Sequence, residues 1–330
     1  MNPKNPIVRG ILRLALYPLF ARFVSMPGRS FKGKGKALSS FERDLVERCQ
    51  KRVHSMAVNI GERSIETPSG LSACADYIEA DLGALGFAVE RQGFEYRGIK
   101  MDNITCELRG KTRPDEVLVL GAHYDTVIGT PGADDNASGV AALLELARML
   151  SRMEKPLGRT VRFVAFANEE NNGDGWHNMG SYHYASMCHE RGDKIIGMLS
   201  LEMLGCFSHA EGSQNYPFPF NLFYPEKGDF IGFVGNAASK KFVREVVGTF
   251  RLYALVASEG VAAPERFRDI ARSDHWSFWQ YGWPALMVTD TSNFRYAHVH
   301  EEEDTPDKID FASMVRVVEG VRQVVLHFAG

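Results

Sequence analysis

The sequence predicts an α/β protein of a single domain, with a central mixed, mostly parallel β-sheet flanked by helices. Three observations carry that expectation. Short apolar, β-branched runs alternate with segments of helical period along almost the whole chain. The stretch from Val117 to Gly139 passes from a buried-strand pattern through an acid-bearing loop into a helix start. Such a junction is where an open α/β sheet places its ligand site. Finally, the 330 residues are 45% hydrophobic and 24% charged, enough for one large core, and neither repeat nor linker divides them.

The elements follow in order. Ser40 to Ile60 has helical period, with Leu45, Val46, Val53 and Met56 on one side. Pro68 opens a second helix, which Gly86 ends. Strand-like runs cover 87–96 and 101–108, then the apolar Val117–Leu120. A helix is expected over 136–153, a buried strand over 159–167, a helix near 176–191 and a strand over 195–203. Residues 205–235 hold prolines, aromatics and glycines without regular period and read as a long surface excursion. Helices over 239–257 and 274–281, a strand over 285–289 and a final helix over 311–328 complete the chain.

The first 37 residues read as a separate segment, leaving 38–330 as the folded domain. Eight basic residues (Lys4, Arg9, Arg13, Arg22, Arg29, Lys32, Lys34 and Lys36) occur there, and no acid precedes Glu42. The run ILRLALYPLFARFV inside it is too short and too arginine-interrupted to span a bilayer, and Pro18 is expected to kink or end its helix. It fits either an interfacial basic helix on an anionic membrane or an amphipathic helix packed on the domain. No small-residue cleavage site follows, so no removable signal peptide is expected. A soluble or peripherally membrane-associated protein is. The net charge of −3 gives no reason to expect a nucleic-acid partner. The five cysteines are scattered, never paired as C-x-x-C, and read as free thiols.

Chemistry concentrates at strand ends. His123 and Asp125 follow the central strand, and Asp134 and Asp135 lie in the loop that starts the next helix. The strand VRFVAFA runs into Glu169 and Glu170, where one carboxylate can ligate a metal while its neighbour holds a proton. Glu202 is the one acid in an apolar strand and needs a metal or partner there, or water just beyond the strand end. His298 and His300 are both possible late ligands. Nitrogen and carboxylate donors without thiolate favour zinc. These donors exceed what one zinc needs; two ions with a bridging carboxylate use them all.

The ordered motifs GAHYD, PGADDNASG, FANEE, LEMLG, SDHWSFW and H-x-x-x-DTPDKID resemble the di-zinc aminopeptidases of metallopeptidase family 28, clan MH, from about Pro68 to the end. The resemblance implies two Zn2+ ions. One would take His123 and Glu202, the other Glu170 and His300, with Asp135 bridging. Glu169 would be the general base for a zinc-bound water, and Asp125 would orient the imidazole of His123. His300 is implied over His298 by its place four residues before Asp304. The family also implies a cis peptide bond after the bridging aspartate. The implied activity is hydrolysis of the amino-terminal bond of a peptide with a free amine, which one metal would receive. Aromatics of the 205–235 excursion would either favour an apolar first residue or simply pack the loop. Two departures stand out: Glu202 where many members have aspartate, and Val299 where many have a tyrosine assisting the oxyanion. That leaves the oxyanion donor unassigned, with Tyr296 as one candidate. A glutaminyl cyclase-like acyltransferase and a non-catalytic binding homologue are the alternatives.

Overall fold

The computed structural model describes residues 6–33, 36–170 and 175–330, with the backbone alone for 6–9. Of the basic amino-terminal residues, Lys4 and Lys34 lie outside the described residues, as does the side chain of Arg9.

An eight-stranded mixed sheet among the described residues carries helices on both faces. In chain order the strands are β1 (Glu90–Tyr96), β2 (Ile99–Leu108), β3 (Arg113–His123), β4 (Arg159–Phe166), β5 (Lys194–Glu202), β6 (Phe230–Asn236), β7 (Ala257–Ala263) and β8 (Ala285–Thr289). The helices are α1 (Pro6–Val24), α2 (Ser40–His54), α3 (Pro68–Ala84), α4 (Gly139–Ser151), α5 (Gly180–Arg191), α6 (Lys240–Tyr253), α7 (His275–Trp279) and α8 (Phe311–Ala329). Across the sheet the order is β1-β2-β4-β3-β5-β8-β6-β7. The central β4, β3, β5 and β8 run parallel, while β1, β2 and β6 pair antiparallel with their neighbours towards the centre.

Strand β3 is buried on both faces, which is why it reads as a continuous apolar run. Leu118 and Leu120 enter the core built with α3, α4 and α8, whereas Val117 and Val119 enter the one built with α5 and α7. From β3 the chain passes through α4 to β4 on one side, then through α5 to β5 on the other. This reversal of direction opens a crevice at the carboxyl ends of β3, β4 and β5.

Several elements differ from the expectation. The 205–235 excursion ends in β6, and β7 follows α6; neither strand was read from the sequence. Their glycines lower strand propensity but serve packing. A Cβ on Gly235 would come within 2.5 Å of Val243 on α6, and one on Gly260 within 2.9 Å of Met26. The expected helix start at Asn136 is a π-type turn, Ala133–Ser138, in which Asp135 and Asn136 are non-helical, and α4 begins at Gly139. Helix α1 continues through Pro18 instead of ending there, with Pro18 and Leu14, the residue one turn before it, both exposed.

Both readings of the amino-terminal segment have a counterpart in the fold. Phe23 is buried, and Phe20 stacks on Phe223 with ring centroids 5.6 Å apart. On the outward side Ile11 is 62% and Leu14 78% exposed. Beyond α1 the chain forms a strap over the edge strand β7: Ser258 N donates to Ser30 Oγ at 2.8 Å, and Arg251 donates to the Pro27 carbonyl at 3.2 Å. The strap satisfies edge groups that would otherwise be open to strand pairing. No helix of the described residues is long and apolar enough to cross a membrane. The cysteines are free; four are buried and Cys206 is partly exposed.

Candidate metal centre

The crevice gathers His123 from the end of β3, Glu169 and Glu170 after β4, Glu202 at the end of β5, Asp135 from the π-type turn and His300 from the loop before α8. Asp135 is central. Its Oδ1 lies 3.3 Å from His123 Nε2, and its Oδ2 lies 3.2 Å from His300 Nε2. Beyond each histidine stands a second acid. Glu202 Oε2 is 3.3 Å from His123 Nε2, and Glu170 Oε1 is 3.4 Å from His300 Nε2. Two His–acid pairs thus share one carboxylate, an oxygen to each pair. One donor atom each from His123, Asp135 and Glu170 also fits within a 4.8 Å span. His298 is not part of this cluster; its ring packs edge-on against Tyr296, 5.5 Å between centroids.

The charges of the cluster are closely coupled. Burial and the Asp135 charge push Glu170 up to about 8. Burial alone would raise Asp135, but hydrogen bonding to both imidazoles holds it low. The histidines respond in kind: the carboxylates of Asp135 and Glu170, as acceptors of the His300 Nε2–H, raise His300 to about 11. Burial opposes charge on His123, yet Glu202, Asp125 and Asp135 together raise it well above the ordinary value. A bound metal would sit against the same imidazole nitrogens and offset the same carboxylates. Asp135 Oδ1 is buried, and its 3.3 Å approach to His123 Nε2 lacks the alignment of a regular hydrogen bond, an arrangement suited to an ion between them. A nitrogen and carboxylate set of this kind fits zinc.

Glu169 stands apart from both pairs. It is buried at the cavity wall, and its carboxylate accepts no hydrogen bond from the described residues. Burial first, then the charges of Glu170, Glu202 and Asp274, raises its proton affinity far above that of an ordinary glutamate. A buried carboxyl group free of both pairs is placed to take and to return a proton.

Two buried aspartates hold the loops that carry these groups. Asp125 Oδ1 and Oδ2 accept the backbone N–H of Glu169 and of Glu170, at 3.1 and 3.0 Å. Its carboxylate is 3.6 Å from His123 Nδ1, whereas its own backbone carbonyl is 3.2 Å from that nitrogen. The imidazole is therefore oriented mainly by the carbonyl, and the carboxylate clamps the two glutamates. Asp304 does the same for the other loop. It accepts the N–H of Asp134 at 2.9 Å and of Asp135 at 3.0 Å, and Tyr296 Oη donates to it at 3.0 Å. Tyr296 is thereby committed to Asp304 and absent from the cavity wall, which removes it as the oxyanion donor.

Further support was invisible in the sequence. Arg63 is fully buried and donates to the carbonyls of Tyr124, Met56, Gly61, Pro131 and Gly132 at 2.7–3.2 Å. It binds the His123 and Asp135 loops together beneath the site, close to the charges of Asp125, Asp304 and Asp135. No local signal marks it: an arginine in GERS reads as an ordinary loop residue. Asp134 accepts the N–H of Gly205 at 2.8 Å, and burial raises both it and the neighbouring Asp290, the latter to about 6. Asp274 is buried and raised to about 7 by desolvation, while Ser273 Oγ donates to Glu202 at 2.7 Å.

The backbone is unusual at the ligands. Asn168, Met203 and His300 take φ of 63°, 50° and 63°, the left-handed region that side chains disfavour, and the Asp135–Asn136 bond is cis as expected. Strained φ at the residues beside or within three ligand positions is typical of a site whose geometry is set by function. The adjoining cavity, about 570 Å3, is walled by Tyr216, Phe220, Tyr224, Phe230 and Phe267.

Comparison with known proteins agrees with this geometry. Residues 103–325 match the profile of Peptidase family M28. The chain is 36% identical over 285 residues to the uncharacterized protein YfbL of Escherichia coli, covering 83% of this chain and 86% of that one. It is 28% identical to leucine aminopeptidase 1 of Arthroderma otae, over 71% of this chain and 59% of that one. Apart from YfbL, the chain spans roughly a third to three-fifths of the length of these curated relatives. Among solved structures, a zinc aminopeptidase from Bacillus subtilis shares the fold at TM-score 0.68 and 15% identity, over 86% of this chain and 95% of that one. Porphyromonas gingivalis glutaminyl cyclase does so at TM-score 0.64 and 25% identity, over 85% and 98%.

Proposed function

The chain belongs to peptidase family M28, and from that premise we propose that it is a zinc aminopeptidase that hydrolyses the amino-terminal bond of a peptide with a free amine. The observation that carries this reading is the carboxylate of Asp135, shared by two His–acid pairs. His123, Glu202 and Asp135 would hold one zinc ion; His300, Glu170 and Asp135 would hold the second. When bound, the metal supplies Lewis acidity at the scissile carbonyl and lowers the pKa of a water. Glu169 takes the proton of the attacking water and returns it to the leaving amine, a double duty for which its raised proton affinity suits it. Asp125 keeps Glu169 and Glu170 in register, so the base and the ligand beside it move as one unit.

The likeness to glutaminyl cyclase supports a second reading, intramolecular acyl transfer at an amino-terminal glutamine. The complete set of two His–acid pairs favours hydrolysis by an attacking water. A non-catalytic role is disfavoured because no ligand position is lost.

The amino-terminal segment supports a further element of the proposal, peripheral contact with an anionic membrane through residues 1–36. The outward apolar side of α1 and the basic residues around it suit that contact. The strap from Ser25 to Lys32 belongs to the folded domain in its contacts and need not leave it.

The deciding experiment is metal analysis of the purified protein beside hydrolysis of free, amino-acetylated and amino-terminal glutamine peptides. Two zinc per chain with cleavage of free amino termini only is expected. Cleavage indifferent to acetylation, or ammonia release from glutamine without hydrolysis, would overturn the aminopeptidase reading.

A further inference from the structure

The cavity floor runs along one row of the sheet. Glu202 on β5 pairs in register with Thr289 on β8, Thr289 with Gly232 on β6, and Gly232 with Glu259 on β7. All four line the cavity. Register partners share a face of the sheet, so a metal-site acid and a second acid look into the same cavity from opposite ends of the row. Three strand spacings separate them, about 14 Å at ~4.8 Å each. Between them the floor is low: Gly232 has no side chain and Thr289 a short one.

Glu259 is an unusual wall residue. Tyr216, Tyr224 and Phe230 surround that end of the cavity, and the carboxylate accepts no hydrogen bond from the described residues. Its nearest cation, Arg251 Nη2, is 3.6 Å away, beyond normal hydrogen-bond reach. Arg251 spends its donors on Ser258 Oγ, the Ser258 carbonyl and the Pro27 carbonyl. Tyr216 Oη, buried at the same end, also lacks a partner. Arg268 and Arg272 lie exposed at the rim, where solvent screens them.

Building on the aminopeptidase reading, we infer that Glu259 is a specificity-determining residue that selects a basic first residue, lysine or arginine, in the substrate. A lysine side chain reaches about 6 Å from Cα to Nζ, five bonds of ~1.5 Å in zigzag. With the substrate backbone held a few ångströms from Glu202 and the Glu259 side chain reaching back by about 4 Å, those lengths span the row. The aliphatic stem lies over Gly232 and Thr289 between aromatic walls, and the cation meets the carboxylate at the far end. This amends the expectation that the aromatics favour a purely apolar residue: they carry the stem, and Glu259 selects the tip.

The test uses the zinc-loaded full chain and peptides that begin with lysine, norleucine or alanine, norleucine being the uncharged chain one heavy atom shorter than lysine. The ratio of kcat/KM for lysyl over norleucyl substrate should fall about ten- to hundredfold in Glu259→Gln, the worth of one charge-assisted contact. Gly232→Val, which raises the floor, should reduce both long substrates relative to the alanyl one. A lysyl/norleucyl ratio unmoved in Glu259→Gln would overturn the inference and leave Glu259 as a partner of Arg251 only. If no free-amino peptide is cleaved, the aminopeptidase reading fails by itself. Calorimetric binding of free L-lysine against L-norleucine, in wild type and Glu259→Gln, then reads the same ratio and decides on Glu259 alone.

Discussion

Replacing Asp125 by asparagine probes how the site is held without removing any proposed metal ligand. Asp125 offers one oxygen to the N–H of Glu169 and the other to the N–H of Glu170. Asparagine keeps the shape but has one acceptor, so its amide must point N–H at N–H on one side. The loss is one charge-assisted hydrogen bond, about 1.5–3 kcal/mol, together with a buried donor left unpaired, about 1–3 kcal/mol. These overlap, so a net cost of about 2–4 kcal/mol is expected. Unfolding entropy of about 2.1 cal/mol/K per residue, taken over the chain, gives ~0.7 kcal/mol/K and a Tm drop of roughly 3–6 °C. Activity should suffer far more. Releasing either N–H lets the Glu169–Glu170 turn shift, and a displacement of about 1 Å can cost ~100-fold in rate. Differential scanning calorimetry, zinc analysis and peptide hydrolysis on one preparation give the three readouts. A folded variant with Tm and kcat both near wild type would refute the clamp. A large Tm loss with proportionate activity among the folded molecules would make Asp125 structural only.

Three other outcomes are expected. Glu169→Gln should keep its zinc while kcat falls by at least about 10²–10⁴-fold, whereas Glu170→Gln should lose part of its zinc; the reverse pattern would exchange their roles. Arg63→Met should cost about 3–5 kcal/mol in chemical denaturation. It strips the Tyr124, Gly61 and Pro131 carbonyls of the one donor the described residues give them, and a loss under about 1 kcal/mol would show that water replaces the guanidinium. In the full chain, Ile11→Glu with Leu14→Glu should abolish salt-sensitive sedimentation with phosphatidylserine vesicles and leave hydrolysis of soluble peptides intact. Undiminished sedimentation would leave α1 as a packed helix.

The site candidates were legible in the sequence because such chemistry is local: His123, Asp135, Glu169, Glu170, Glu202 and a late histidine each stand at a strand end or loop where such side chains have little structural reason to be, and the family resemblance singled out His300 over His298. The central strands were legible too, since burial on both faces leaves a continuous apolar run. Strands β6 and β7 were not, because their glycines serve the approach of α6 and of the strap, a need that appears only once those pieces pack. The same holds for the supports of the site. Arg63 serves loops as distant as Gly132, Asp125 grips an N–H 45 residues away, and Asp304 one 170 residues away. Nothing within a few residues of them marks those bonds. Glu259 became interesting only when register across three strands set it in one row with Glu202. Which atoms can bind a metal is a property of side chains and was written in the chain. Which groups hold those atoms in place depends on where distant segments cross, and only the tertiary structure decides that.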